Sequence, residues 1–198
     1  MKEHHFFAIV SRMKYIDRWA LMRNSRTENL SEHSMDVAMI AHALCIIAKV
    51  RYHEDIDADH TAVMALFHDC SEIITGDMPT PVKYLNENIK DAYKQVEKRA
   101  EEQLLNQLPE DLRSYYEEVY SDDTDRQKRM HRYVKAADKL SALIKCMEEE
   151  SAGNTEFRNA AVSTLKSIND MKEEIPALID FMEEFLPSYG KTLDELLG

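Results

Sequence analysis

The stretch Ala62-Val63-Met64-Ala65-Leu66-Phe67-His68-Asp69-Cys70-Ser71-Glu72 decides the reading of this chain. Its apolar first half predicts a buried helix. Charged groups rarely enter such a helix without partners, because an unpaired charge in an apolar setting is costly. On a continuous helix, residues three and four apart share a face. His68 then stacks with Glu72, and Asp69 with both Ala65 and Glu72. An imidazole and a carboxylate riding on a core helix need something positive to balance them, and a divalent cation is the simplest candidate.

Upstream, Asn29 and Glu32 have the spacing of a capping box, which starts a helix near Leu30. The stripe His33, Val37, Ile40, Ala41, Leu44 and Ala48 faces a core, with His33 at its N-terminal end. His42 is about half a turn out of phase with His33 and receives no role. Earlier still, Phe6, Phe7, Ile9, Val10, Met13 and Ile16 recur at roughly helical spacing. They predict a first helix over residues 4–19, closed by Arg18-Trp19 and followed by a polar loop at 24–28. A second polar stretch, Arg51 to Asp59, leads into the His68 helix, with Asp57 or Asp59 as its cap.

Downstream, that helix is expected to stop near Thr75-Gly76-Asp77, because Met78-Pro79-Thr80-Pro81 cannot continue it. Lys83 to Leu108 reads as a long charged helix or helix pair, and Pro109 opens another. After an acidic break at 121–125, a helix over 126–150 carries Val134, Ala137, Asp138, Ser141 and Ala142 on one face. Gly153-Asn154 ends it, and the last 44 residues hold amphipathic helix broken at Pro176 and Pro187. With no repeat or linker, residues 1–198 read as one all-α domain.

Composition agrees, since 4 Gly and 5 Pro in 198 residues are few for a strand-rich fold. An apolar fraction of 44% with 31% charged residues suits a globular protein with one good core. A net charge of −12 argues against a nucleic-acid polymer as partner, which needs a basic stripe. A small anionic substrate is compatible, because a local Arg or a metal sets the field of one pocket. Neither a secretory signal nor an apolar run near the ~20 residues of a bilayer span is recognised, so a cytoplasmic chain without membrane contact is expected. Cys45, Cys70 and Cys146 lack paired spacing and read as small core residues in a reducing compartment.

The candidate ligands are therefore His33, His68, Asp69 and Asp138, from three separate predicted helices. Taken singly, each has an ordinary reading: a hydrogen-bonded core histidine, a chance His-Asp dipeptide, a salt-bridged aspartate. Their joint placement on or beside apolar stripes favours a shared ion. Mixed imidazole and carboxylate ligation suits manganese, cobalt, iron or zinc. His4, His5, His53, His60 and His131 have no ligand partner at helical spacing.

The order His33 … His68-Asp69 … Asp138 resembles the HD-domain metal-dependent phosphohydrolases, which are all-α helical bundles. The strings Arg18-Trp19, Arg26-Thr27-Glu28-Asn29-Leu30-Ser31-Glu32-His33-Ser34 and Thr75-Gly76-Asp77-Met78-Pro79-Thr80-Pro81-Val82-Lys83-Tyr84 resemble one branch, the bacterial 5′-deoxynucleotidases. The resemblance covers nearly the whole chain. It implies hydrolysis of deoxyribonucleoside 5′-monophosphates to deoxynucleoside and phosphate, with His33, His68, Asp69 and Asp138 as ligands of one divalent ion. Co²⁺ or Mn²⁺ is favoured, ahead of Zn²⁺, Fe²⁺, Cu²⁺ or Mg²⁺. Arg18 is implied as the phosphate-orienting group, and a guanidinium suits that role through bidentate charge-assisted hydrogen bonds. Trp19 is implied as a wall near the sugar, and Glu72 and Asp77 as the proton-handling pair, in either order of roles. Met78, Pro79 and Thr80 are implied to contact the nucleotide, alongside His33, Asp77 and Asp138. A homodimer is also implied. The competing readings are another HD phosphohydrolase, acting on a nucleoside triphosphate or other small phosphomonoester, and a nucleotide-binding HD module without turnover.

Overall fold

In the computed structural model, which describes residues 3–83 and 85–198 without the side chains of Thr80 and Pro81, the capping box forms as its spacing predicts. The Asn29 side chain accepts the Ser31 and Glu32 N–H groups at 3.0 and 3.1 Å, and Glu32 accepts the Asn29 N–H. Three of the four donors left open by a helix start are scarce in an apolar core, so this cap lets α2 (Leu30–Arg51) begin against protein rather than water. Val37, Ile40, Ala41, Leu44 and Ala48 are all buried, as the stripe predicts, and so is His33.

Helix α2 packs between α3 (Ala58–Phe67) and α8 (Asp125–Ser151). Asp57 caps α3 through the His60 N–H, and Thr124 caps α8 in a second capping box with Gln127. The main core gathers Val37, Leu44, Met64, Tyr133, Leu140 and Leu178, drawing α10 (Ala177–Glu184) onto α2 and α9 (Arg158–Met171) onto α8. Each fully buried aliphatic side chain there contributes about 1.5–3 kcal/mol. By length and composition α2 is apolar enough to cross a membrane, contrary to the sequence-based expectation that no such run exists. Its apolar stripe is spent on α3 and α8 instead.

A second cluster, Phe6, Met13, Leu30, Cys70, Leu104 and Leu105, ties the N-terminal region to α6 (Glu87–Leu105). Phe67 and Tyr120 lie against both clusters. Cys45, Cys70 and Cys146 are buried and unpaired, as expected of small core residues. The rest of the helical frame is α7 (Glu110–Tyr120) and the short α11 (Leu193–Leu197). Among the described residues no strand forms, and the extended pairing is a lone antiparallel bridge between Asp17 and Asn29.

Two predicted helices end early, each ahead of residues singled out for chemistry. The first is α1 (Phe6–Val10), followed by a 3-10 turn at Ser11–Tyr15, and Ile16 is already extended. Backbone groups there find partners in the approach to α2: Arg18 N–H donates to the Glu28 carbonyl at 2.8 Å, and Leu30 N–H to that of Ile16 at 3.0 Å. Arg18 and Trp19 thus leave the helix for a turn, where Trp19 takes a positive φ of 57°.

The second is α3, which stops at Phe67. His68 uses its ring to donate to the Ala65 carbonyl at 2.7 Å, while its own backbone N–H lies 3.5 Å from the same oxygen. Tighter three-residue bonds follow, Cys70 N–H to Phe67 O and Glu72 N–H to Asp69 O, before α4 (Glu72–Thr75). The expected single helical face through His68 and Glu72 therefore does not form. Gly76, at φ 74°, turns the chain out of α4, and α5 (Thr80–Lys83) is one turn long. Asn86 caps α6 through the Ile89 N–H, so the long helix starts at Glu87 rather than Lys83. Tyr84 lies outside the described residues.

Candidate metal centre

The first turn of α2 delivers His33, the end of α3 delivers His68 and Asp69, and the middle of α8 delivers Asp138. One ligand atom each from His33, His68 and Asp138 lie within 4.8 Å of one another. Asp69 Oδ2 stands 3.2 Å from His68 Nε2 and 3.6 Å from His33 Nε2, and Asp138 Oδ1 stands 3.3 Å from His33 Nε2. The four expected residues come together, with Asp69 lying against both histidines but outside the group of three.

The ring orientations carry more information than the distances. A carbonyl oxygen only accepts, so the His68 Nδ1 facing Ala65 O must bear the proton. Its Nε2 then presents a lone pair. His33 is also held from behind, Nδ1 lying 3.1 Å from Ser141 Oγ, a hydroxyl able to accept a hydrogen bond from that nitrogen. Both Nε2 atoms are buried without a hydrogen-bond partner. Metal-ligating histidines are oriented in this manner by a second contact on the far nitrogen. Two imidazole lone pairs facing two carboxylates leave a position that a divalent cation fits and that nothing neutral would stabilise as well.

Charge follows the same geometry. Burial and the neighbouring Arg18 guanidinium push His33 toward its neutral form. For His68, burial opposes the charged ring, but the Asp69 carboxylate outweighs it and raises the pKa. Burial likewise opposes the charged carboxylates, yet His68 and His33 hold Asp69 down at about 2, and His33 and Lys139 hold Asp138 well below the usual range.

Around this centre stand the other expected residues. Arg18 is buried, pairs through Nη1 with Glu28, and brings Nη2 to 3.9 Å from Asp138. Its Nε has no partner. Burial works against its charge, but Glu28 and Asp138 more than compensate and raise its pKa. Trp19 lies beside it, 5.8 Å from guanidinium carbon to ring centre, and donates its backbone N–H to Asp77 Oδ2 at 3.1 Å. A non-glycine residue at positive φ is uncommon, and this bond holds the turn that imposes it. Glu72 is buried, and burial with the nearby Asp69 and Asp77 carboxylates pushes its carboxyl up to about 9. Met78 and Pro79, which follow Asp77 in the chain, are partly buried, whereas the Thr80 side chain lies outside the described residues.

Five of the eight buried side-chain polar atoms without a partner among the described residues belong to Arg18, Trp19, His33, His68 and Glu72. Orphaned polar atoms are rare in folded proteins, and a cluster of them marks a place where other groups bind. Three contributors were missed in the sequence: Ser141 and the Ala65 carbonyl behind the histidines, and Glu28 beside Arg18. Ser141 was visible as a polar residue on the Asp138 face, one turn after it. His131 bonds the Ser121 carbonyl, and His42 pairs with Asp59 at the surface, so neither joins the centre.

A family model described as 5′-deoxynucleotidase YfbR-like matches residues 5–189. A 5′-deoxynucleotidase of Erwinia tasmaniensis is 46% identical over 196 residues, covering 99% of this chain and 98% of that protein. The 5′-deoxynucleotidase YfbR of Escherichia coli is 45% identical over 201 residues, covering 99% and 97%. Among solved structures, an HD-domain phosphohydrolase of Listeria innocua superposes with a TM-score of 0.79 at 23% identity, over 93% of this chain and 88% of that one. A cyanophage S-2L HD phosphohydrolase bound to dA and one catalytic Zn²⁺ ion gives 0.66 at 17% identity, over 93% and 96%. At those identities the two structures show a shared fold.

Proposed function

The chain belongs to the YfbR-like 5′-deoxynucleotidase family, and from that membership we propose that it is a divalent-metal-dependent phosphomonoester hydrolase converting deoxyribonucleoside 5′-monophosphates and water to deoxynucleoside and phosphate. The observation that carries the reading is the pair of buried, unpartnered histidine Nε2 atoms facing Asp69 and Asp138, with Arg18 at their edge. A non-catalytic module would need neither a buried carboxyl such as Glu72 nor so many buried, unpartnered polar atoms among neighbouring residues.

His33, His68, Asp69 and Asp138 would hold the ion. When bound, it supplies Lewis acidity, drawing off phosphoryl charge and acidifying water. Arg18 binds the phosphate, its Nε being unpartnered while Glu28 grips Nη1 and Nη2 lies toward Asp138. Glu72 exchanges a proton with the attacking water, and Asp77 stands near the leaving 5′-oxygen, the roles being reversible in principle. Asp77 also keeps Trp19 in place through the backbone bond, so the sugar wall and the acid form one unit. An indole wall gives a ribose 2′-hydroxyl no partner, which favours deoxyribose. Met78, Pro79 and Thr80 follow Asp77 as the nucleotide-facing loop. Co²⁺ or Mn²⁺ is the favoured ion, and a cytoplasmic homodimer built from one domain per chain completes the reading.

The test is phosphate release from a panel of dNMPs, NMPs and dNTPs by metal-stripped protein with Co²⁺, Mn²⁺, Zn²⁺ or Mg²⁺ returned. Release from dNMPs well above NMPs and dNTPs is expected. Preference for dNTPs would move the chain to the competing phosphohydrolase reading, and no release from any dNMP would refute the proposal.

A further inference from the structure

The Glu149 carboxylate lies outside this centre, roughly 16 Å along α8 from Asp138, and four donors converge on it. Ser25 N–H reaches it at 2.8 Å, Arg26 N–H at 3.3 Å, the Asn154 carboxamide at 2.7 Å, and the Lys145 ammonium also donates to it. Glu149 is 2% exposed and Lys145 4%. A buried ion pair of this kind adds little net stability over apolar packing, so its presence calls for another reason. The reason is in the partners. Ser25 and Arg26 belong to an irregular segment with no helix or sheet to take up its N–H groups, and the Glu149 carboxylate accepts both.

The contacts lead back toward the centre. Lys145 also donates to the Arg26 carbonyl, and Asn154 Nδ2 to that of Arg23 at 2.7 Å. Asn24 Nδ2 bonds the carbonyls of Met22 and Trp19 at 2.9 and 3.2 Å. The Trp19 ring stands edge-on against Phe157 with centres 5.4 Å apart, and the Lys145 ammonium lies 5.7 Å from that Phe157 ring. Glu149 thus holds Ser25 and Arg26 while its own partners Asn154 and Lys145 hold the Arg23 and Arg26 carbonyls, and Asn24 ties the same segment to the turn bearing Trp19.

We propose that Glu149 is a positioning residue: with Lys145 and Asn154 it clamps residues 23–26 to α8 and so sets Arg18 and Trp19 relative to Asp138, without touching substrate. The proposal rests on the nucleotidase reading for its kinetic consequence, but its structural consequence is measurable without turnover. Trp19 is the sole tryptophan of the chain, so fluorescence reports the clamped turn directly.

The experiment compares the full-length, Mn²⁺-loaded wild type with Glu149→Gln. Glutamine offers one acceptor oxygen where the carboxylate offers two, so its amide N–H groups confront either the Ser25 and Asn154 donors or the Arg26 and Lys145 donors. In the variant kcat/KM for dAMP is expected to fall ~10²-fold, mostly through KM. Acrylamide quenching of Trp19 should rise and Mn²⁺ affinity should stay unchanged. Wild-type KM and quenching in a folded Glu149→Gln, even with a lowered Tm, would reduce the residue to a structural role and overturn the proposal. Should that variant fail to fold, Asn154→Ala cuts the link between Glu149 and Arg23, and the same shifts, smaller, are expected; wild-type KM and quenching there would overturn the clamp equally. A wild-type chain that releases no phosphate from dNMPs defeats the nucleotidase reading alone, since the quenching comparison still decides the clamp.

Discussion

Two walls of unlike construction face each other across the candidate centre. One is helical: α2, α3 and α8 present His33, His68 and Asp138 from positions fixed by apolar stripes and capping boxes. The other is the irregular segment between α1 and α2, with the turn around Asp77, and it presents Arg18 and Trp19. Nothing apolar and periodic places that second wall. It is held by polar bonds to backbone: Trp19 to Asp77, Arg18 to the Glu28 carbonyl, Ser25 and Arg26 to Glu149. Core packing gives the first wall rigidity to match a metal's geometric demand. Hydrogen-bonded loops give the second wall, on the proposed reading, the side chains that would handle substrate.

If the division is real, substitutions on the two walls separate metal binding from substrate handling. The largest effect belongs to the helical wall. Asp69→Ala should lose both Mn²⁺ binding and turnover, measured by metal content after dialysis and by phosphate release from dAMP. Retention of full metal content would show that His33, His68 and Asp138 suffice, and would move Asp69 to the substrate side. Next comes the loop wall, where Arg18→Ala should lower kcat/KM by roughly 10²–10³-fold with unchanged Mn²⁺ affinity by calorimetry. Loss of metal in that variant would erase the distinction between the walls.

The smallest effect is a pH slope at the seam between them, where Glu72 stands. Its carboxyl is raised from 4.5 to about 9 in the folded, metal-free chain. Between those values the folded state keeps a proton that the unfolded state has released, so stability contributed by this group falls as pH rises through the window. The slope reaches up to ~1.4 kcal/mol per pH unit. Glu72→Gln cannot ionise and should lose stability less steeply in urea unfolding at pH 6, 7 and 8, with metal removed. Parallel slopes for both proteins would show that Glu72 is already charged in the folded chain.

The same contrast explains what could be read from residues alone. The stripe from His33 to Ala48 and the Asn29–Glu32 box came through because periodicity and capping are local properties of sequence. The ends of α1 and α3 did not. Ile16 keeps helical spacing with Met13, yet its backbone bonds to Leu30, a partner no local rule reveals. His68 ends α3 by turning its ring onto Ala65 O, a choice that makes sense only with His33, Asp69 and Asp138 around it. Glu149 carried no local sign at all, since one glutamate near a helix end reads as solvated surface. Its role is visible only through the loop it grips 123 and 124 residues away in the chain.

The most direct test is phosphate release from dAMP by stripped protein as metal is returned in measured equivalents. Activity should be absent with chelator present, rise with added Mn²⁺ or Co²⁺ and saturate at one equivalent per chain. Full activity in chelator, or saturation only at several equivalents, would contradict a single ion held by His33, His68, Asp69 and Asp138.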